Sequence, residues 1–306
     1  MYSLEQIATG VRRGAANPAF FGREANRLYH RRLYRAPYNP GGVAVVDEDW
    51  DTLVVLDACR YDDFADLHDL PGDLRSRRSR GSHTVEWLRG NFAGRDLLDT
   101  VYVTASPQFH FKDIDARFHA VENVWDGAGW DDDAGTVRPE TMADRALAAA
   151  ERYPDKRLLV HFVQPHYPFL DEGDLAGSLM DEDGRDIWSD LSKGRAEVST
   201  DEVRRAYRRN LELALPAVER ILDSVRGRTV VTADHGNMFG ERARPVPTRE
   251  WGHPPGVYTD ELVRVPWHVH ENGRRSTRAD PPVAAESDAT TESDATERLR
   301  QLGYVE

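Results

Sequence analysis

The sequence predicts an α/β fold: a mostly parallel central sheet flanked by helices. Two observations carry that prediction. Short apolar runs alternate along the chain with longer amphipathic stretches of helical period, the signature of strand–helix–strand units. Two of the apolar runs also stop on an aspartate followed by a turn, as strands do at the functional edge of an open α/β sheet.

The elements follow in order. WDTLVVLD (50–57) is an apolar run too short for a helix and reads as a buried strand. In RSRGSHTVEWLRGNF (78–92), Ser82 and Thr84 precede VEWLRGNF, which starts a helix, so one hydroxyl is expected at the N-cap. LLDTVYVTA (97–105) is a β-branched and aromatic strand. PETMADRALAAAERY (139–153) opens on a proline suited to the first helical turn and continues with an Ala/Leu face. RLLVHFVQ (157–164) is a third strand, and STDEVRRAYRRNLELALPAVERILDSV (199–225) a long amphipathic helix with a kink expected at Pro216. RTVVTAD (228–234) and LVRVPWHV (262–269) are further strands. Three units result: a basic helical arm over 1–40, an α/β catalytic domain over 41–270 and an acidic flexible tail over 271–306. The tail repeats ESDAT and ends in a short segment expected to dock.

Composition narrows the function classes. A chain of 306 residues, 40% hydrophobic and 30% charged, buries a real core as one large domain or two modest ones. No apolar run reaches the roughly 18–20 residues of a membrane span, and the N-terminus shows no apolar signal-peptide region, so the cytoplasm is the expected compartment. The single cysteine, Cys59, excludes an internal disulfide and a multi-cysteine metal site. Net charge is −13, with lysine only at 112, 156 and 193. Such an acidic, lysine-poor surface suits concentrated salt and a halophilic setting, and it argues against nucleic acid as a partner. The exception is local: Arg12, Arg13, Arg23, Arg27, Arg31, Arg32 and Arg35, interleaved with Tyr and Leu. That arm is either a helix docked on an acidic domain or a peripheral contact with anionic lipid headgroups. Oligomeric state leaves no mark on the sequence.

The chemistry gathers where strands stop. Strand 50–57 ends at Asp57, and RTVVTAD ends at Asp234 with His235 and Gly236 next. Taken alone, DHG is an ordinary turn. Strand ends on one edge of a parallel sheet converge, however, so Asp57, Asp234 and His235 can share one divalent cation. Oxygen and imidazole ligands suit Zn²⁺ or Mn²⁺, with Ca²⁺ or Mg²⁺ as further candidates. A hydroxyl at a helix start faces open N–H groups, and a nearby cation would make it a nucleophile. Thr84 and Ser82 both qualify. VHFVQPHYPF puts His161 and His166 at the end of the third strand, and REWGHPPG puts His253 in a Gly/Pro-rich loop, both where a ligand could be held.

The ordered set is more specific than its parts. D-x-x-R-x-D from Asp57, a hydroxyl at a helix start, PHYP, DHG with a nearby GE, then GH followed by YTDELVRVP resembles the alkaline phosphatase/sulfatase superfamily, on its sulfatase-like side. The likeness spans roughly residues 50–270 and includes the terminal LGYVE. It implies that fold, with Asp57, Asp234 and His235 as metal ligands and Thr84 as nucleophile completing the shell. Arg60 matches the Arg of the first motif, His166 and His253 match positions that contact the transferred group or protonate the leaving oxygen, and Ser82 and His161 fall among the substrate contacts. No Cys or Ser stands in the C/S-x-P/A-S/A-x-R pattern required for formylglycine, which points away from sulfate esters and toward a small-molecule or headgroup phosphoester substrate. D-x-x-x-H is missing from the strand before DHG, because Phe162 stands four residues before His166; one cation is therefore expected. The implied activity is a metal-dependent phosphoester hydrolase. A phospho-headgroup transferase and a catalytically inactive binding subunit are the alternatives.

Overall fold

The computed structural model describes residues 19–34, 36–171, 187–283 and 292–302. Among them nine strands form: β1 (Thr52–Asp57), β2 (Asp73–Arg78), β3 (Arg95–Thr104), β4 (Ala116–Asn123), β5 (Arg157–Pro165), β6 (Gly227–Ala233), β7 (Met238–Arg242), β8 (Arg249–Gly252) and β9 (Arg264–Asn272). Seven make one sheet in the order β2-β9-β6-β1-β5-β3-β4, and β7 with β8 makes a separate hairpin. The run β6-β1-β5-β3-β4 is parallel throughout. β9 is antiparallel to both β6 and β2, so the sheet is mixed with one reversed strand. The apolar pattern of 262–269 shows a strand but not its direction. An antiparallel return beside β6 needs no helical crossover, and the chain between β6 and β9 spends its length on the hairpin instead.

The described helices of seven residues or more are α1 (Ala19–Tyr34), α2 (Tyr61–Leu67), α3 (Thr84–Phe92), α4 (Pro139–Arg152), α5 (Ile187–Lys193), α6 (Thr200–Ser224) and α7 (Glu292–Gln301). β1 lies mid-sheet and is buried at every position, which is why TLVVLD is apolar without alternation. Its side chains still alternate between faces. Val54 and Leu56 join the core with Met142 and Ala146 of α4 and with Leu211 and Val218 of α6. Leu53 and Val55 join the opposite core with Trp87, Leu88 and Phe92 of α3. Each such aliphatic or aromatic side chain stabilises the fold by about 1.5–3 kcal/mol. α6 begins with a full capping box between Ser199 and Glu202 and continues as helix through Pro216.

Three sets of elements carried too little signal to be read in advance. β2 (DLRSRR) is an edge strand that is mostly exposed, and edge strands are kept polar. β4 (ARFHAVEN) lies on the far edge of the sheet. The β7–β8 hairpin pairs irregularly. In the tail, the backbone of Arg278, Asp280 and Val283 hydrogen-bonds to Asp155, Leu98 and His119, Lys156 ion-pairs with Asp280, and Leu302 after α7 is fully buried. Residues 1–18 of the basic arm and the last four of the LGYVE end fall outside the described residues. No described helix is long and apolar enough to cross a membrane.

Candidate active site and metal centre

β1 and β6 are neighbours with Leu56 opposite Ala233, so Asp57 and Asp234 leave the same sheet edge side by side. The chain turns sharply after Asp57, with Ala58 at φ +61°, a region that strains a residue carrying a Cβ. Tyr207 on α6 secures that turn: its hydroxyl donates to the Ala58 carbonyl at 2.9 Å and accepts from the Arg60 amide at 2.8 Å. The amides of Ala58 and His235 then donate to Asp234 Oδ1 at 3.0 and 2.8 Å. Asp234 Oδ2 is left buried without a hydrogen-bond partner.

His235 points its Nε2 into the same space. Its Nδ1 lies 2.8 Å from the Gly236 carbonyl, which can only accept, so Nδ1 carries the proton and Nε2 the lone pair. Nε2 is 3.2 Å from Thr84 Oγ1, 3.3 Å from Asp234 Oδ2 and 3.4 Å from Asp57 Oδ1. All four residues are at most 1% exposed. Thr84 is the first residue of α3, one turn before Leu88 on the stripe that faces the sheet, and that stripe aims its hydroxyl at the strand ends. The N-cap is His83, without a side-chain cap bond; neither expected hydroxyl caps the helix. Gly236 is needed for clearance, since a Cβ there would stand 2.1 Å from the Glu261 carbonyl.

His161 sits inside β5 opposite Val55, deeper than its place in the sequence suggests. With Asp57 and Asp234 it forms a buried group whose donor atoms lie within 4.8 Å of one another. His161 Nδ1 lies 2.9 Å from the Tyr102 hydroxyl, which orients the ring. His161 Nε2 stands 3.9 Å from Asp234 Oδ2 and has no hydrogen-bond partner. Two carboxylates and the lone pair of His235 Nε2 converge in a buried pocket, with His161 Nε2 beside them. Such an arrangement is repulsive by itself and attractive around a cation. The donor set therefore fits a divalent ion, and the backbone and tyrosine bonds behind the imidazoles are the outer support metal ligands require.

A second pair of histidines covers the cluster. His166 Nδ1 donates to the Tyr167 carbonyl at 2.7 Å, and its Nε2 is 3.0 Å from His253 Nε2; the His253 ring stands 4.8 Å from that of His235, centroid to centroid. Burial pushes His161 and His166 down to about 4 and holds His253 well below its ordinary pKa. His253 Nε2–H therefore donates to a neutral His166. His83 also borders the site, pushed down to about 3 by burial and by His235.

The remaining expected residues have structural partners. Ser82 Oγ lies 3.0 Å from Glu86 Oε2, 3.0 Å from the Pro254 carbonyl and 3.0 Å from the Gly256 amide. It ties the His253 loop to α3. The Arg60 guanidinium bonds Asp62 twice at 2.7 Å, Glu241 at 2.5 Å and the Asn237 carbonyl at 3.1 Å, so it braces the DHG loop against α2. Asn210, which motif reading passed over, holds the PHYP loop from α6. Its Nδ2 donates to the carbonyls of His166 at 2.9 Å and Pro168 at 3.0 Å, and its Oδ1 accepts from Leu170 N at 2.9 Å. Its visible signal is a polar residue interrupting the buried stripe Ala206-Tyr207-Leu211-Ala214.

No protein-family description and no curated protein matches this chain. Solved structures similar to it include the periplasmic domain of a phosphoethanolamine transferase from Campylobacter jejuni, 13% identical at TM-score 0.44, covering 72% of this chain and 78% of that one. A zinc complex of a periplasmic domain from Escherichia coli is 11% identical at TM-score 0.41, covering 71% and 72%. A protein in the alkaline phosphatase superfamily from Vibrio parahaemolyticus is 13% identical at TM-score 0.39, covering 87% and 69%. Residue roles rest on this chain's own geometry.

Proposed function

We propose that this chain is a metal-dependent enzyme that cleaves a phosphoester through Thr84. One observation carries the reading: a buried hydroxyl at the start of a helix stands 3.2 Å from the lone pair of His235, which is itself within 3.4 Å of Asp57 and Asp234. Asp57, Asp234 and His235 would hold the cation, with His161 beside them. When bound, a divalent ion supplies the positive charge that favours an ionised threonine and offsets charge on the phosphoryl oxygens.

Thr84 Oγ1 gives up its proton to solvent and forms a bond to phosphorus as the ester P–O bond breaks, and the leaving oxygen takes a proton from solvent in its turn. The N–H groups of the first turn of α3 have no intrahelical acceptors. They and His253 Nε2–H are the donors available to non-bridging oxygens. Water then attacks phospho-Thr84, breaking the P–Oγ bond, releasing phosphate and returning the proton to threonine. If an acceptor hydroxyl replaces water, the same intermediate yields a headgroup transferase. That second ending shares every residue named above, and the Campylobacter jejuni neighbour is named a phosphoethanolamine transferase.

The test is an ester panel with Mn²⁺ or Zn²⁺: nitrophenyl phosphate, bis-nitrophenyl phosphate, a nitrophenyl phosphonate ester and nitrophenyl sulfate. Turnover of a phosphorus ester that vanishes in Thr84→Ala and persists in Ser82→Ala supports the reading. Turnover that survives Thr84→Ala refutes it. Acceleration by added glycerol or ethanolamine selects transfer over hydrolysis.

A further inference from the structure

α1 is inverted relative to an ordinary surface helix. A helix on a globular protein turns its apolar stripe inward and its polar face to water. Here the inward face is polar. Asn26 is fully buried and exchanges two hydrogen bonds with Val246, at 2.9 and 2.8 Å. Arg23 donates to Glu250 at 2.7 Å, Arg27 to the Pro255 carbonyl at 2.9 Å, and His30 lies 3.3 Å from the Arg244 carbonyl.

The outward face is apolar. Phe21, Leu28 and Tyr29 are 52%, 42% and 49% exposed, and Val246 under the same helix is 37% exposed. Phe21, Ala25, Leu28 and Tyr29 fall at i, i+4, i+7 and i+8, one continuous stripe. Among the described residues only one other large hydrophobic, Val283, is comparably exposed. Four of five such side chains therefore gather on this helix and the loop it grips.

Charge identifies the occupant. Residues 19–35 carry five arginines against one glutamate, a local +4 in a chain of net −13. An exposed aromatic and aliphatic stripe on a segment of net positive sequence charge matches a helix lying in the headgroup layer of an anionic bilayer. We propose that α1 is an interfacial docking helix that seats the protein on an anionic lipid surface. Because Arg27 holds Pro255, two residues from His253, the docked helix sets the His253 side of the site toward the lipid.

The proposal stands apart from the reaction, and its test uses no turnover. The full chain is sedimented with phosphatidylcholine vesicles and with phosphatidylcholine/phosphatidylglycerol vesicles, beside a Phe21→Ser/Leu28→Ser/Tyr29→Ser variant. These side chains face outward, so the variant should keep the wild-type urea midpoint. Binding to the anionic vesicles, weaker on neutral ones and reduced about tenfold or more in the variant, is the expected result. Absence of wild-type binding, or equal binding by the variant, overturns the proposal. So does a wild-type oligomer that the triple change dissociates while neither form binds vesicles, because a second copy then covers the stripe.

Discussion

Replacing Asn210 should disable the site from a distance. Its amide bonds two carbonyls of the PHYP loop and its oxygen takes the Leu170 amide, all in a fully buried setting. Asn210→Ala leaves one N–H and two carbonyls without partners. Each buried group so orphaned costs about 1–3 kcal/mol, and partial relaxation brings the expected loss to about 3–5 kcal/mol. His166 is positioned by this loop, so turnover should fall more than binding. Asn210→Asp keeps the acceptor for Leu170 but sets a carboxylate against carbonyl oxygens. Burial and those oxygens would raise its folded-state pKa above the unfolded value, so the variant is least stable at neutral pH and recovers as pH falls. Urea unfolding of both variants at two pH values, with steady-state kinetics, provides the assay. An alanine variant within about 1 kcal/mol of wild type, or an aspartate variant that weakens on acidification relative to alanine, would refute the clamp.

Three further expectations concern the cluster and its supports. Tyr102→Phe removes the hydroxyl that orients His161, so affinity for Zn²⁺ should fall about 10–100-fold in a calorimetric titration if His161 is a ligand; unchanged affinity excludes that role. In metal-free protein, His161 and His166 are held by burial near 4, while the unfolded chain titrates near 6.5. The unfolded state then binds more protons below about pH 6.5, so stability is full above that pH and declines toward pH 4, by about 2 kcal/mol per histidine at pH 5. Urea midpoints at neutral and mildly acidic pH check the slope. Ala58→Gly relieves the left-handed strain at φ +61° and should be neutral or stabilising by up to about 1 kcal/mol, whereas Ala58→Val should destabilise and weaken metal binding.

The parallel core was legible because β1, β5 and β6 are buried on both faces and leave unbroken apolar runs. The same runs ending in Asp57 and Asp234 exposed the metal edge. What the chain hid has physical causes. Strand direction leaves no mark in hydropathy, so the reversed β9 could not be read from its residues. Edge strands such as β2 are polar by necessity. That His161 faces the carboxylates shows only in the strand register. Beside their local partners Asp62 and Glu86, Arg60 and Ser82 bond groups 181 and 172 residues away, which no local pattern shows. The inverted stripe of α1 emerged only once Asn26 was seen facing inward.

The most direct test of the central claim is acid quenching of the metal-loaded enzyme during turnover of a phosphoester, followed by mass spectrometry of the peptide spanning 81–89. A phosphoryl or phospho-headgroup adduct on Thr84, absent in Thr84→Ala, is the predicted result. Rapid turnover with Thr84 unmodified at every quench time, or an adduct on another residue that persists in Thr84→Ala, would contradict it.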